Sequence, residues 1–358
     1  MISGGDIMVN PFTLSFGIEP KEYISRNQQT SKIMDSFLSE APSNYMYMLS
    51  GIRGSGKTVM LSNLTETFEG KKDWIVVNVS PDVDILNAIA ANLYSRRSIH
   101  SLFTNAKIDL SGLGIGISLE NSTPIFDISV ALEELLTELK KKNYKVLIVI
   151  DEIVNNSNVK VFAGIYQILL RKKLPVFLLM TGLYENINNL QNEKTLTFLY
   201  RAPKIYLEPL NTFSIAQSYK SILGVDDGTA KVMAKLTNGY AYAYQVLGYL
   251  YWENIKETKK CREVEELINE YDLTLSEYVY EKIWYELPGT EKKIVTLLIN
   301  NEQMKIKDIR DSLSLSESKM SVYRDRLKRR GIVDVSRYGY LSLNLPRFAS
   351  IAKFWIDN

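Results

Sequence analysis

The strongest constraint on this chain is one glycine-rich run, Gly51-Ile52-Arg53-Gly54-Ser55-Gly56-Lys57-Thr58. An apolar stretch, residues 45–50, precedes it, and a stretch of helical periodicity, residues 58–68, follows. It is a complete G-x-x-x-x-G-K-[ST] pattern in the strand–loop–helix setting the pattern needs. Glycines let successive backbone N–H groups converge on phosphate oxygens. The next helix turns its positive end toward the same anion. The run therefore predicts a nucleotide-phosphate cradle formed by Gly51, Ile52, Arg53, Gly54, Ser55, Gly56, Lys57 and Thr58. Lys57 is expected to meet the β- and γ-phosphates, and the Thr58 hydroxyl to ligate Mg²⁺.

A second stretch supplies the acids. Residues 146–150 (VLIVI) are continuous and largely β-branched, as in a strand buried on both faces. The strand ends in Asp151-Glu152. Asp151 is the candidate Mg²⁺ ligand, through water. Glu152 is the candidate that orients and polarises an attacking water. Two acids suit hydrolysis by water better than transfer to a bound metabolite. No N-K-x-D follows a strand, so ATP or ADP is favoured over guanine nucleotides.

Further strands are expected at 45–50, 74–79, 174–181 and 204–207, and helices at 27–38, 58–68, 83–94 and 128–142. Strands separated by helices imply an α/β domain with a parallel sheet and right-handed crossovers. Residues 106–120 (AKIDLSGLGIGISLE) alternate apolar and polar positions around glycines and read as an inserted β-hairpin. After Leu210 the pattern turns helical, at 212–223, 229–236, 241–254 and 264–271. Residues 291–299, 306–313 and 316–330 then read as three helices, and 332–345 as a hairpin turning at Tyr338-Gly339. That is the order of a winged helix-turn-helix. The expected division is 1–208 for the nucleotide-binding domain, 209–284 for a helical lid and 285–358 for the winged helix. Such a division fits a chain of 358 residues.

Composition excludes several classes. One cysteine, Cys261, cannot form an internal disulfide and fits a reducing cytoplasm. One histidine, His100, is too few for a zinc site or a histidine-based triad, and both residues read as structural or incidental. No apolar run reaches the ~20 residues of a membrane helix. The net charge is only +2, yet residues 286–358 carry 14 Lys/Arg against 9 Asp/Glu, a net of +5. The third helix of that segment holds Lys319, Arg324, Arg326, Lys328, Arg329 and Arg330, and Arg337 stands at the wing. In a helix-turn-helix reader this helix enters the major groove of double-stranded DNA and its cations meet phosphate. A winged helix also serves as a protein-contact module, and a basic helix end suits the helix dipole.

With these motifs the chain resembles the AAA+ ATPases, in particular the ORC-like archaeal and bacterial ATPases related to STAND NTPases. The resemblance implies a sheet in the order 5-1-4-3-2. Asn10-Pro11-Phe12 and Tyr23-Ile24-Ser25-Arg26 are similar to the segment that covers the adenine in that family, which makes Arg26 a nucleotide-binding candidate, with Ser25 in place of the usual Gly before it. Thr181, at the end of the fourth strand, falls at the sensor 1 position. Asn78 falls where some relatives pair an asparagine with the catalytic glutamate, here Glu152. Arg201 falls at the position of an arginine finger, acting in its own subunit or on a neighbour in a homo-oligomer, or is a surface arginine. The family's lid often carries a Gly-x-Pro or a sensor 2 arginine. The matching Gly239-Tyr240-Ala241-Tyr242 has neither, which implies weak or altered coupling between nucleotide and lid. Two functions follow from the resemblance. One is a Mg²⁺-dependent ATPase that switches DNA binding or loading. The other is a STAND-like signalling switch whose winged helix contacts protein.

Overall fold

The computed structural model describes residues 9–15, 20–194, 196–258 and 263–356, so Cys261 lies outside the described residues. The chain forms two compact units. One comprises Arg26–Ser50 and Lys57–Tyr206, the other Met1–Ser25, Gly51–Gly56 and Leu207–Asn358.

The first unit is built on five parallel strands: β1 (Met46–Ser50), β2 (Trp74–Asn78), β3 (Lys145–Ile150), β4 (Val176–Gly182) and β5 (Lys204–Tyr206). Their order is β2-β3-β4-β1-β5. Read from the other edge, this is the expected 5-1-4-3-2. Strands β1 and β4 are buried along their whole length, as is β3 after its first residue, so their apolar runs have no polar alternation. One face carries Met46, Met48, Val146, Ile148, Leu178 and Met180 into a core shared with helices Ile85–Ser95, Ile128–Lys141 and Ser157–Arg171. The other face carries an aromatic layer. The Trp74 ring lies 4.4 Å from Phe68 and 4.8 Å from Phe177, and Phe37 lies 5.0 Å from Phe177. Phe37 and Phe68 come from helices Asn27–Leu38 and Lys57–Glu69.

Helix starts follow side-chain caps. Asp84, Asp127 and Asn156 each accept the backbone N–H groups that a first turn leaves unpaired. Helix Arg97–Asn105 is additional to the expected elements and follows helix Ile85–Ser95 after a single residue, Arg96. His100 serves there as a structural residue, its Nδ1 2.7 Å from the Tyr94 carbonyl oxygen.

The expected hairpin at 106–120 is not formed. The segment holds only a short 3₁₀ turn, Ser111–Leu113, and no strand. Its centre is Asp109, whose side chain is fully buried. One carboxylate oxygen accepts the Ser111 N–H, at 2.9 Å. The other accepts the Leu119 N–H and the hydroxyls of Ser118 and Ser122, at 3.0, 3.2 and 2.9 Å. Gly114 and Gly116 take left-handed φ values of 74° and 72°, which breaks any extended run. The apolar alternation instead marks residues packed against the core, with Ile108 and Leu110 buried and Ile117 left exposed.

In the second unit, helices Thr212–Leu223, Asp227–Thr237 and Ala241–Thr258 pack around buried tyrosines and Phe12. Asn211 and Asp226 cap the first two at their N-termini, and Gly224 and Asn238 end them in the left-handed conformation. The chain continues through helices Gly289–Asn300, Ile306–Ser312, Glu317–Arg329 and Phe348–Ile356. A small antiparallel sheet in the order β6-β8-β7 joins them, with β6 at Gln303–Lys305, β7 at Val333–Asp334 and β8 at Tyr340–Leu343. Strand β6 and the last helix are additions to the expected elements. One continuous core runs from Leu210 to Ala352. Among the described residues, no helix is long and apolar enough to cross a membrane.

The Asp109 network makes a prediction with a defined sign. The Ser111 hydroxyl, then the N–H groups of Leu119 and Ser111, hold its carboxyl well below the usual range. A depressed folded pKa contributes stability above the unfolded value, and that contribution is lost as pH falls through the folded one. Asp109→Asn should therefore lower the melting temperature by a constant amount between pH 5 and 8. The gap should close only below about pH 4, where the unfolded carboxyl begins to protonate. Thermal melts across that range check it.

Candidate functional site

The acids sit where parallel strands end. In the first unit, Asp151 follows β3, and its carboxylate is held from three directions. The Thr58 hydroxyl, on the first turn of helix Lys57–Glu69, donates to Asp151 Oδ2 at 2.9 Å. The Thr181 hydroxyl makes a very short hydrogen bond to Oδ1. The Glu152 N–H reaches both Asp151 Oδ1, at 3.0 Å, and Thr181 Oγ1, at 3.1 Å. Behind them, Ile153 N–H donates to the Thr181 carbonyl at 2.8 Å. The helix start, β3 and β4 thus converge on one carboxylate. Thr181 is fully buried, and its hydroxyl is used by Asp151 and Glu152. Through that one hydroxyl, Thr181 bridges the Asp151 carboxylate and the Glu152 backbone.

Glu152 adopts a left-handed φ of 51°. For a residue with a Cβ this costs about 1–2 kcal/mol. Such strain persists where surrounding bonds impose it, and it concentrates at functional sites. Its side chain is exposed, at the open end of the sheet. Asn78 ends β2, exposed, and among the described residues no hydrogen bond joins it to Glu152. Arg201 caps the short helix Thr197–Tyr200, exposed and without a side-chain partner among the described residues. Arg26 stands half-buried at the start of helix Asn27–Leu38.

The residues fit a hydrated divalent cation bound with phosphate. Among the described residues, no group of three or more His, Cys, Asp or Glu could hold a metal alone. Mg²⁺ needs no such cage, since it keeps waters and takes one or two carboxylates plus substrate phosphates. Thr58 and Asp151 offer a matching hydroxyl and carboxylate. Ser50, the last residue of β1, keeps its hydroxyl buried and without a partner among the described residues. Lys57, the residue before Thr58 and the first of helix Lys57–Glu69, is buried.

The loop Gly51–Gly56 is fixed within the second unit. Gly54 and Gly56 have φ values of 70° and 89°. A Cβ on Gly54 would come within 2.8 Å of the Tyr242 Cβ. The Tyr240 hydroxyl donates to the Arg53 carbonyl at 2.6 Å, and the Tyr242 N–H donates to the Gly54 carbonyl at 3.0 Å. The Arg53 guanidinium forms a two-pronged bond with Glu286, at 2.9 and 3.2 Å. The stretch that lacks the family's Pro and Arg therefore does connect to the loop, through two tyrosines. Asn10 and Phe12 also belong to this unit. Asn10 donates to Glu253 at 2.9 Å, and the Phe12 ring lies 5.5 Å from that of Tyr244.

The basic residues near the C-terminus divide into two groups. Lys319, Arg326, Lys328 and Arg329 are exposed on helix Glu317–Arg329, and Arg324 is half-buried there. Arg330 is turned inward. Its guanidinium lies 2.9 Å from Glu291, a carboxylate only 1% exposed, with Arg326 at 3.9 Å. Burial pushes the Glu291 carboxyl up, and Arg326 pulls it back down. Arg330 thus leaves the exposed set, because a buried carboxylate needs a cation. The Arg337 guanidinium lies over the Tyr340 ring, 4.0 Å from its centroid, beside a fully exposed Tyr338.

Two substitutions test the arrangement of the acids. Thr181→Val removes one donor and one acceptor and should cost about 1–3 kcal/mol of stability. Glu152→Gly relieves the left-handed residue and should leave the protein as stable, or more stable by up to about 1 kcal/mol. Chemical denaturation without nucleotide measures both.

A family described as a domain of unknown function (DUF8462) matches residues 277–350. No curated protein matches the chain in sequence. Among solved structures, the Aeropyrum pernix ORC2 protein in its ADP form aligns with a TM-score of 0.50 and 16% identity, over 96% of each chain. Cdc6p from Pyrobaculum aerophilum aligns with a TM-score of 0.49 and 16% identity, over 96% of this chain and 97% of that one. With its strand order and its Gly51–Thr58 loop, the chain has the fold of the ORC-like AAA+ P-loop proteins.

Proposed function

We propose that this protein is a Mg²⁺-dependent ATPase whose nucleotide state governs binding of double-stranded DNA by its C-terminal segment. The observation that carries the reading is the Thr58–Asp151 hydrogen bond at the end of β3. It pairs a hydroxyl and a carboxylate directly beside a buried lysine, Lys57. The Aeropyrum ORC2 structure of the same fold is an ADP form, which supports a nucleotide as the ligand. In the proposed division of labour, residues 1–208 bind nucleotide, 209–284 act as a lid and 285–358 are a winged helix.

In this reading, N–H groups of the loop and the Lys57 ammonium bind phosphate oxygens. Thr58 and Asp151 would hold Mg²⁺, which would supply positive charge beside the phosphates. The Glu152 carboxylate orients a water and takes its proton. Thr181 keeps Asp151 and Glu152 in register. Arg201, exposed and unengaged, is available to a phosphate of its own subunit or of a neighbour. Arg26 is proposed to lie beside the base.

The exposed Lys319, Arg326, Lys328 and Arg329 form the DNA-facing set, with Arg324 and Arg337 at its margins. A labelled random duplex, followed by fluorescence anisotropy with Mg²⁺–ATP, should bind with micromolar or tighter affinity and weaken steeply with salt. Arg326→Ala and Arg329→Ala should each reduce the salt slope by about one phosphate contact. Glu152→Gln should keep nucleotide affinity while slowing turnover by about 10²-fold or more. No duplex binding at low salt would remove DNA as the partner. The inward Arg330–Glu291 pair favours the second reading in that event, a nucleotide-held switch whose C-terminal segment contacts protein.

A further inference from the structure

We propose that Tyr240 and Tyr280 form a relay that transmits the nucleotide state of the loop Gly51–Gly56 to the segment Pro346–Phe348. The proposal rests on the nucleotide reading above, but not on DNA as the partner.

It begins with one peptide group. Arg53 C=O and Gly54 N–H belong to the same planar trans peptide, so they point in opposite directions. Tyr240 donates to the Arg53 oxygen at 2.6 Å and thereby fixes where the Gly54 N–H is aimed. That N–H is one of the donors a phosphate loop turns toward its anion. Any rotation of this peptide on nucleotide binding must lengthen or tighten the Tyr240 bond. Burial keeps the Tyr240 and Tyr280 phenols protonated, so each remains a donor.

The next link is aromatic. The rings of Tyr240 and Tyr280 stack with centroids 6.1 Å apart and planes 25° apart. Tyr280 is fully buried. It lies in a π-helical turn, Ser276–Tyr280, an irregularity often found at functional positions. Its hydroxyl donates to the Pro346 carbonyl at 2.8 Å, and its ring meets Phe348 edge-on at 5.1 Å. Phe348 opens helix Phe348–Ile356. Pro346 lies three residues beyond Leu343, the end of β8, the strand that pairs with both β6 and β7. Beyond the half-buried Arg53, each link is a hydrogen bond or a ring contact between buried groups, from Tyr240 through Tyr280 to Pro346 and Phe348. Tyr271 supplies an internal control. It is an equally buried tyrosine of the same core whose hydroxyl donates to Leu236, off this path.

Amide hydrogen exchange on the intact chain, with and without saturating Mg²⁺–ADP, tests the relay. In the wild type, Mg²⁺–ADP should slow exchange in the loop and, at least about fivefold, in residues 344–351. Tyr280→Phe should bind Mg²⁺–ADP within about threefold of wild type and slow the loop, yet lose the slowing at 344–351. Tyr240→Phe should lose that distal slowing and weaken Mg²⁺–ADP by about tenfold, one hydrogen bond's worth. Tyr271→Phe should keep both effects. Should Tyr240→Phe fail to fold, as a thermal melt would show, the Tyr280→Phe and Tyr271→Phe pair still decides. Distal slowing that survives in Tyr280→Phe, or is absent from a wild type that binds Mg²⁺–ADP, overturns the relay alone. A wild type that binds no Mg²⁺–ADP overturns the nucleotide reading and the relay together.

Discussion

The Asp151 carboxylate is the interaction on which the end of the five-stranded sheet in the first unit turns. One oxygen takes the Thr58 hydroxyl, and the other takes the Thr181 hydroxyl and the Glu152 N–H. Three elements distant in sequence are fixed against one charge as a result. The neighbouring residue, Glu152, bears the conformational cost, with its φ of 51°. A local strain maintained by bonds that also set the geometry of the acids is the pattern expected of a chemical site. The fully buried strands on either side supply the rigidity that allows it.

The second unit shows a different principle. Tyrosine gives a buried interior both apolar area and a hydrogen-bond donor. Tyr219, Tyr240, Tyr271 and Tyr280 each use the hydroxyl on a backbone carbonyl of another segment. Such bonds tie loops to helices without charges, and each leaves an unsatisfied acceptor if the hydroxyl is removed. The nearby ionic contacts are of two kinds. The Arg53–Glu286 pair is partly exposed and should contribute little on its own. The Arg330–Glu291 pair encloses a carboxylate that would be costly to leave alone.

Much of this was legible in the residues. The glycine-rich loop, the VLIVI strand and the two acids were readable because each has a strict pattern with one physical meaning. Helix Thr212–Leu223 was readable to the residue, since Asn211 and Gly224 mark its ends. The segment at 106–120 was misread because its alternation reflects packing of single residues onto a core. Asp109, the residue that organises it, gives no periodic signal. The role of Tyr240 was hidden for another reason. Its partner is a main-chain carbonyl, which any residue at position 53 would offer. Arg330 looked like its neighbours until Glu291 placed it inside. Contacts between segments far apart in sequence were the part a linear reading could not supply.

The most direct test is a calorimetric titration of the intact chain with Mg²⁺–ATP, repeated with Mg²⁺–GTP and with Lys57→Ala. The account predicts one saturable site of micromolar or tighter affinity for Mg²⁺–ATP, weaker binding of Mg²⁺–GTP, and a loss of about 100-fold or more in Lys57→Ala. Binding that is absent, or unchanged by Lys57→Ala, would contradict it.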